Sequence, residues 1–342
     1  CSIISKIVMN DFIYKLAQAH GLSDIHIQTD LPVATRINGS IVKHENNIIS
    51  KNEVSKFLTE HLNKELLDKL NNEKNVDLAI QIQDLRFRAN VFFGLNGQNI
   101  VLRKIESQIP QFDDLNFPSI VGDVINSHNG LILVTGPTGC GKSTSLAAMI
   151  NRINETRDAN IITIEDPVEF IHQPKQSIIS QREVGYHATS FASALRASLR
   201  EDPDVILVGE LRDLETIALA LTAAETGHLV FGTLHTSGAP NTIHRIIDVF
   251  SPSQQDQVRA QIATSLKLVM TQRLFKKADG SGRLAAFEIM VCNVAIQNII
   301  RENKIHQIPS AMQTGLADGM MQMEKSIENL LNSGAINYED TQ

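Results

Sequence analysis

An eight-residue run, Gly136-Pro137-Thr138-Gly139-Cys140-Gly141-Lys142-Ser143, constrains this chain more than any other stretch, because it follows the apolar segment LILVT and leads into STSLAAMINRI. That context reads as a strand, a glycine-rich loop and a helix in succession. Glycines let backbone amides turn inward on phosphate oxygens, and the following helix aims its positive end at the same anion. In such a cradle Lys142 reaches terminal phosphates, the Ser143 hydroxyl is placed to hold Mg2+, and Thr144 opens the helix beside it. The alternative is a structural glycine turn, which the strand-loop-helix setting disfavours.

The remainder of the second half fits an α/β domain. Short apolar runs at 131–135, 161–164, 205–208 and 229–233 alternate with helix-length stretches, the signature of a mainly parallel sheet covered on both faces. After about residue 254 the pattern reads as mostly helical, including 255–274 and 322–333. The first half differs. An amphipathic helix over 10–20 precedes alternating strands around 25–27, 33–37 and 41–42, with Asn38-Gly39 as a hairpin turn. A helical stretch at 51–72 and strands at 86–93 and 100–105 follow. Two prolines and weak periodicity place a linker at 107–118, between a domain at 9–106 and another at 119–342. The first Met is Met9, and residues 1–8 are left out of the functional reading.

Two acidic groups follow apolar strands and so face the edge where the phosphate loop lies. Glu210 ends VILVG and is the candidate for orienting or activating a water; a plain strand end is the alternative. Glu165 and Glu169 lie in EDPVE, either a metal-water or γ-phosphate site or a solvated acidic turn. His228 and His235 flank LVFGTL, and their surroundings lack zinc-ligand spacing. Arg88 and Arg103, taken alone, read as strand-surface residues.

Composition narrows the function classes. With 342 residues, 42% hydrophobic and 20% charged, the chain can build two ordinary cores. A net charge of -7 argues against a surface made to attract phosphate backbones, and no Trp with three Tyr offers little for base stacking. Three cysteines cannot supply a four-thiolate zinc site or a disulfide framework, which fits a reducing cytoplasm. No apolar run approaches the roughly 20 residues of a spanning helix, so membrane association is expected only through a partner.

Together, TGPTGCGKST, TIEDPVEF, SLREDPDVILVGELRDLETI and ALTAAETGHLVFGTLHT resemble the Walker A, Asp box, Walker B and His box of the secretion-superfamily ATPases. SDIHI, RFRANVF and AIQNIIRENKIHQI extend the likeness from Met9 to about residue 336, and it is strongest to the retraction ATPases of bacterial type IV pili. The resemblance implies a PAS-like α+β N-terminal domain, a RecA-like ATPase domain with a helical C-terminal part, ATP and Mg2+ as ligands, and a homo-hexamer. It further implies Glu210 as catalytic base, Glu169 and Glu165 in the Asp box, His228 and His235 in the His box, and Arg88 and Arg103 approaching the γ-phosphate. Force would pass to a pilus platform protein at the cytoplasmic face of the inner membrane.

Two departures stand out. Gln297 occupies a position usually held by Arg in that family, and Cys140 replaces a commoner Ser. A thiol at a helix N-terminus can be acidified, so alkylation of Cys140 is expected to block nucleotide entry. The rival functions are a type II or type IV secretion ATPase, a nucleic-acid translocase on the same core, and a scaffold that binds nucleotide without hydrolysing it. No four-cysteine zinc element of the extension and type II relatives is present in the sequence, and Lys142, Ser143 and Glu210 argue against the scaffold.

Overall fold

The computed structural model describes residues 9–37, 39–105 and 108–341. Residues 1–8 and Asn38, half of the expected hairpin turn, lie outside the described residues. The chain divides into two compact units, one up to residue 108 and one from 109 onward.

The first unit runs α1 (Met9–Ala17), β1 (Leu22–Ile27), β2 (Pro32–Ile37), β3 (Ser40–Ile48), α2 (Lys51–His61), α3 (Lys64–Glu73), β4 (Asn75–Ile82), β5 (Leu85–Gly94) and β6 (Gly97–Ile105). Its strands form one antiparallel sheet in the order β3-β2-β1-β6-β5-β4. One face of it packs with the helices around Ile13, Ile25, Phe57, Phe87 and Leu102. The stretch expected as one helix at 51–72 is two. Leu62 is extended, and the Asn63 side chain accepts from the Leu66 N–H to start a new helix, so the chain turns instead of continuing.

The second unit holds α4 (Ser119–Val124), β7 (Gly130–Thr135), α5 (Lys142–Thr156), β8 (Asn160–Glu165), β9 (Ile178–Glu183), α6 (Phe191–Ser198), β10 (Val205–Val208), α7 (Leu214–Glu225) and β11 (Leu229–Leu234). It continues with α8 (Ala239–Asp248), α9 (Gln255–Ser265), β12 (Leu266–Lys276), β13 (Arg283–Val291), α10 (Val294–Arg301), α11 (Ile308–Thr314) and α12 (Met323–Asn332). The sheet order is β13-β12-β7-β11-β10-β8-β9, parallel except for β13 at one edge. Alternate residues of each central strand enter opposite cores: Leu131, Ile162 and Ile206 face one, Ile132, Ile161 and Leu207 the other. That double burial explains the continuous apolar runs, and it yields the RecA-like layering.

The C-terminal part corrects one expectation. The helix expected over 255–274 stops at Ser265, where Leu266 becomes extended, and 266–276 pairs with both β7 and β13. Backbone pairing with β7 and burial on both faces outweigh a helical pattern that no Gly or Pro interrupts. Residues 322–333 are helical as expected, in α12.

Candidate active site

The carboxyl ends of β7, β8, β10 and β11 share one edge of the parallel sheet, where open α/β sheets bind ligands. The loop from Gly136 to Gly141 leaves β7 there and turns tightly against β12. Gly136 and Gly141 have φ of 135° and 89°. A Cβ on Gly136 would meet the Gln272 carbonyl oxygen at 2.5 Å, and one on Gly141 the Gln272 Nε2 at 2.8 Å. Only glycine satisfies both the backbone conformation and the contact. The tip, Pro137 to Gly139, is exposed, and Ser143 is exposed on the first turn of α5.

Lys142 is buried beneath this loop. Its Nζ donates to the carbonyls of Gly136 at 2.8 Å and Pro137 at 3.1 Å, and lies 3.5 Å from His235 Nδ1. Burial lowers its pKa, while the charges of Glu210 and Glu169 oppose that shift. An ammonium can only donate, so Nδ1 of His235 accepts and its Nε2 carries the proton that faces Glu210 Oε1, 3.4 Å away. Thr138 Oγ1 also lies 3.4 Å from Nδ1. Lys142, His235 and Glu210 thereby form a continuous polar chain.

Glu210 receives a second partner at 2.6 Å, Arg212 Nε. Burial alone would raise the Glu210 carboxyl, but the Arg212 guanidinium and His235 outweigh it and hold it below the ordinary carboxylate range. It is ionised at neutral pH. Glu165, at the end of the neighbouring β8, has the opposite setting. Part of the residue reaches the surface, yet its carboxyl lies deep among protein atoms, and burial pushes it up to about 7. Thr163 Oγ1 at 2.7 Å and Gln181 Nε2 at 3.4 Å bond it, and the charge of Glu169 opposes its ionisation. Glu169 is half-buried on the following loop, which β9 clasps: Glu183 accepts from the Val168 N–H, and Gln181 bonds Phe170 and His172. Beside the phosphate loop, a cavity of about 340 Å³ opens among Pro137, Gly238, Thr271, Arg273 and Glu288.

A family model described as type II/IV secretion system protein matches residues 2–336. This chain belongs to the type II/IV secretion system proteins. Among relatives of the family, a twitching motility protein of Neisseria gonorrhoeae is 50% identical over 302 residues, which cover 88% of this chain and 81% of that protein. The type IV pilus retraction ATPase PilT of Pseudomonas aeruginosa is 43% identical over 321 residues, covering 94% of this chain and 93% of that one. A solved structure, the pilus retraction motor PilT with bound ADP, matches with a TM-score of 0.89 at 45% identity, over 98% of this chain and 96% of its own.

Within this secretion-family framework, the sequence-derived residues fall into three places. Lys142, Glu210, Glu169 and His235 converge at the loop, and Ser143 stands next to it. His228 does not join them: it precedes β11 while His235 follows it, so the strand separates them by roughly 20 Å. There its Nδ1 lies 3.0 Å from the Ala223 carbonyl, and its own carbonyl accepts from the Gly130 N–H at the start of β7. Arg88 and Arg103 belong to the first unit, directly opposed on β5 and β6 and both exposed. Arg103 Nε donates to the buried Asp24 at 2.9 Å.

Cys140 differs from expectation. Its thiol is buried and packs near Gly136, and burial raises its pKa despite Lys142, so it is neither acidified nor placed at the mouth of the loop. Gln297 sits on α10 with Nε2 donating to the Cys292 carbonyl at 3.3 Å. Sequence reasoning missed Arg212, Thr163, Gln181 and Gln272. Of these, Gln272 left only a faint trace, as the middle of three polar residues, Thr271-Gln272-Arg273, set between the apolar pairs of VMTQRLF.

Proposed function

We propose that this chain is one subunit of a homo-hexameric motor that hydrolyses ATP to retract a type IV pilus. The observation that carries the reading is the contact chain Lys142–His235–Glu210 at the carboxyl edge of the sheet, directly under the glycine loop. It joins a phosphate-binding cation, a group able to sense the terminal phosphate and an ionised carboxylate. The likeness to proteins named for twitching motility and pilus retraction directs that hydrolysis toward retraction.

In this reading Gly136 to Thr144 cradle the phosphates, and Lys142 exchanges its bonds to the Gly136 and Pro137 carbonyls for β- and γ-phosphate oxygens. Ser143 presents a hard oxygen donor suited to Mg2+, an ion that keeps several waters and needs few protein ligands when phosphates supply the rest. Among the described residues no group of three or more His, Cys, Asp or Glu is arranged to hold a metal ion, which accords with a metal held chiefly by substrate oxygens. When bound, Mg2+ neutralises charge on the β and γ phosphates.

Glu210 orients the attacking water and takes its proton, for which its ionised state at neutral pH is suited. His235 links Lys142 to Glu210 beside the reacting phosphate, and Glu169 with Glu165 shapes the water side of the pocket. Arg88 and Arg103 set two exposed guanidinium groups side by side, with Arg103 steadied by Asp24, and together they can take an anion. We assign that anion as a γ-phosphate, met through bidentate guanidinium bonds. Tighter binding of ATP than of ADP then supplies the driving force for motion, because only differential affinity moves a conformational equilibrium. Among the described residues no helix is long and apolar enough to cross a membrane, and we assign force transfer to a platform protein at the cytoplasmic face of the inner membrane.

Deleting the gene and counting surface fibres tests the reading. Excess pili that no longer retract are expected, whereas loss of all fibres would assign the motor to assembly or secretion.

A further inference from the structure

Gln272 lies on β12, is 3% exposed, and has both ends of its side-chain amide engaged. Its Nε2 donates to the Cys140 carbonyl at 2.6 Å, and its Oε1 accepts from Ser145 Oγ on α5 at 2.7 Å. A backbone carbonyl can only accept, so chemistry fixes which end of the amide faces Cys140. The Gln272 backbone carbonyl is also the atom that would meet a Cβ on Gly136, and Nε2 the atom that would meet one on Gly141. One residue therefore lies against the start of the loop, its end and the first turn of its helix.

We infer that Gln272 is a positioning residue for nucleotide binding, acting by fixing the direction of the Cys140–Gly141 peptide. The two are joined by a trans peptide, in which the carbonyl and the next N–H point to opposite sides. Holding the Cys140 carbonyl inward on Gln272 turns the Gly141 N–H outward, where a phosphate oxygen can accept from it. A free loop could rotate this peptide and present an oxygen to the anion, converting an attraction into a repulsion. Ser145 keeps the amide from rotating and ties its orientation to α5. Gln272 touches no phosphate itself; it acts through the peptide it holds.

This inference rests on the reading that the loop binds nucleotide phosphates. The experiment uses the full chain and calorimetric titration with ADP and with adenosine, which lacks phosphates. Gln272→Met keeps the volume and removes both hydrogen bonds. ADP should bind about tenfold more weakly, the effect of one lost hydrogen-bonding group, while adenosine affinity is unchanged. Gln272→Glu adds a pH readout that loss of packing alone would not produce. Protonated, the new carboxyl still donates to the Cys140 carbonyl; ionised, it repels that carbonyl, so ADP affinity relative to wild type should fall as pH rises from about 6 to 9.

Equal ADP affinity in wild type and Gln272→Met, with a flat pH ratio for Gln272→Glu, would overturn the inference. If Gln272→Met does not fold, the Gln272→Glu series decides alone. Wild-type protein that fails to bind ADP would overturn the nucleotide reading itself, and the inference with it.

Discussion

The ends of β8 and β10 are neighbours in register, Ile164 beside Val208, and each leads into a glutamate at the same edge of the sheet. Their carboxyls nonetheless shift in opposite directions. Both are penalised by burial, but Glu165 finds only neutral donors, Thr163, Gln181 and the Glu169 backbone N–H, and the repelling charge of Glu169, whereas Glu210 finds the Arg212 guanidinium and His235. Position on a strand brings an acid to the site; a cation within bonding distance decides whether it is charged there. Near neutral pH the pair therefore offers one ionised carboxylate and one whose surroundings favour keeping its proton, a division of labour that acid–base chemistry can use.

Replacing the ionised member should have the larger consequence. Glu210→Gln keeps the shape and the donors around it but cannot accept a proton, so steady-state ATP turnover should fall on the order of 10²- to 10⁴-fold while ATP binding persists. Turnover close to wild type, measured by phosphate release, would remove Glu210 from the role of base and leave the contrast with Glu165 without catalytic meaning.

The other member is tested through stability. Folded Glu165 titrates near 7 against an ordinary value of 4.5, so between those pH values the folded chain keeps a proton that the unfolded chain has released. Stability from this group is complete below about 4.5 and is lost as pH climbs through 7, by an amount on the order of 3 kcal/mol at most. Glu165→Gln imitates the protonated form at every pH. Its melting temperature, by scanning calorimetry without nucleotide, should match wild type near pH 5 and exceed it near pH 8. Parallel melting curves across that range would show that Glu165 is not held protonated by its surroundings.

Much of this site was legible before any coordinates. The glycine loop, the buried strands of the parallel sheet and Glu210 are local patterns, each dictated by a backbone need or by burial on two faces. What escaped depends on contacts remote in sequence or on unmarked boundaries. The strand Leu266–Lys276 follows α9 with no Gly or Pro between them, so the helical reading runs on until pairing with β7 is known. The strand Asn75–Ile82 buries Val76, Leu78, Ile80 and Ile82 in strict alternation, a signal present in the sequence that the expectation of strands only from 86 onward passed over. Gln272 meets Cys140 across 132 positions, a pairing no local pattern encodes. The two histidines teach the converse. The family resemblance grouped His228 and His235 in one box, but seven residues along an extended strand carry them to opposite ends of it.

The smallest effect tests the cause of the contrast most directly. Arg212 stands two residues beyond Glu210 and is exposed, so its removal disturbs little packing. In Arg212→Ala, burial is left opposed only by His235, and the Glu210 carboxyl should rise toward the behaviour of Glu165. The acidic limb of the kcat/KM profile for ATP should then move to higher pH, by on the order of one unit, with the plateau rate reduced far less than in Glu210→Gln. Arg212→Lys, which retains the positive charge, should restore most of the shift. An acidic limb that stays in place in Arg212→Ala would mean that His235 suffices to keep Glu210 ionised, and that the guanidinium only steers its side chain.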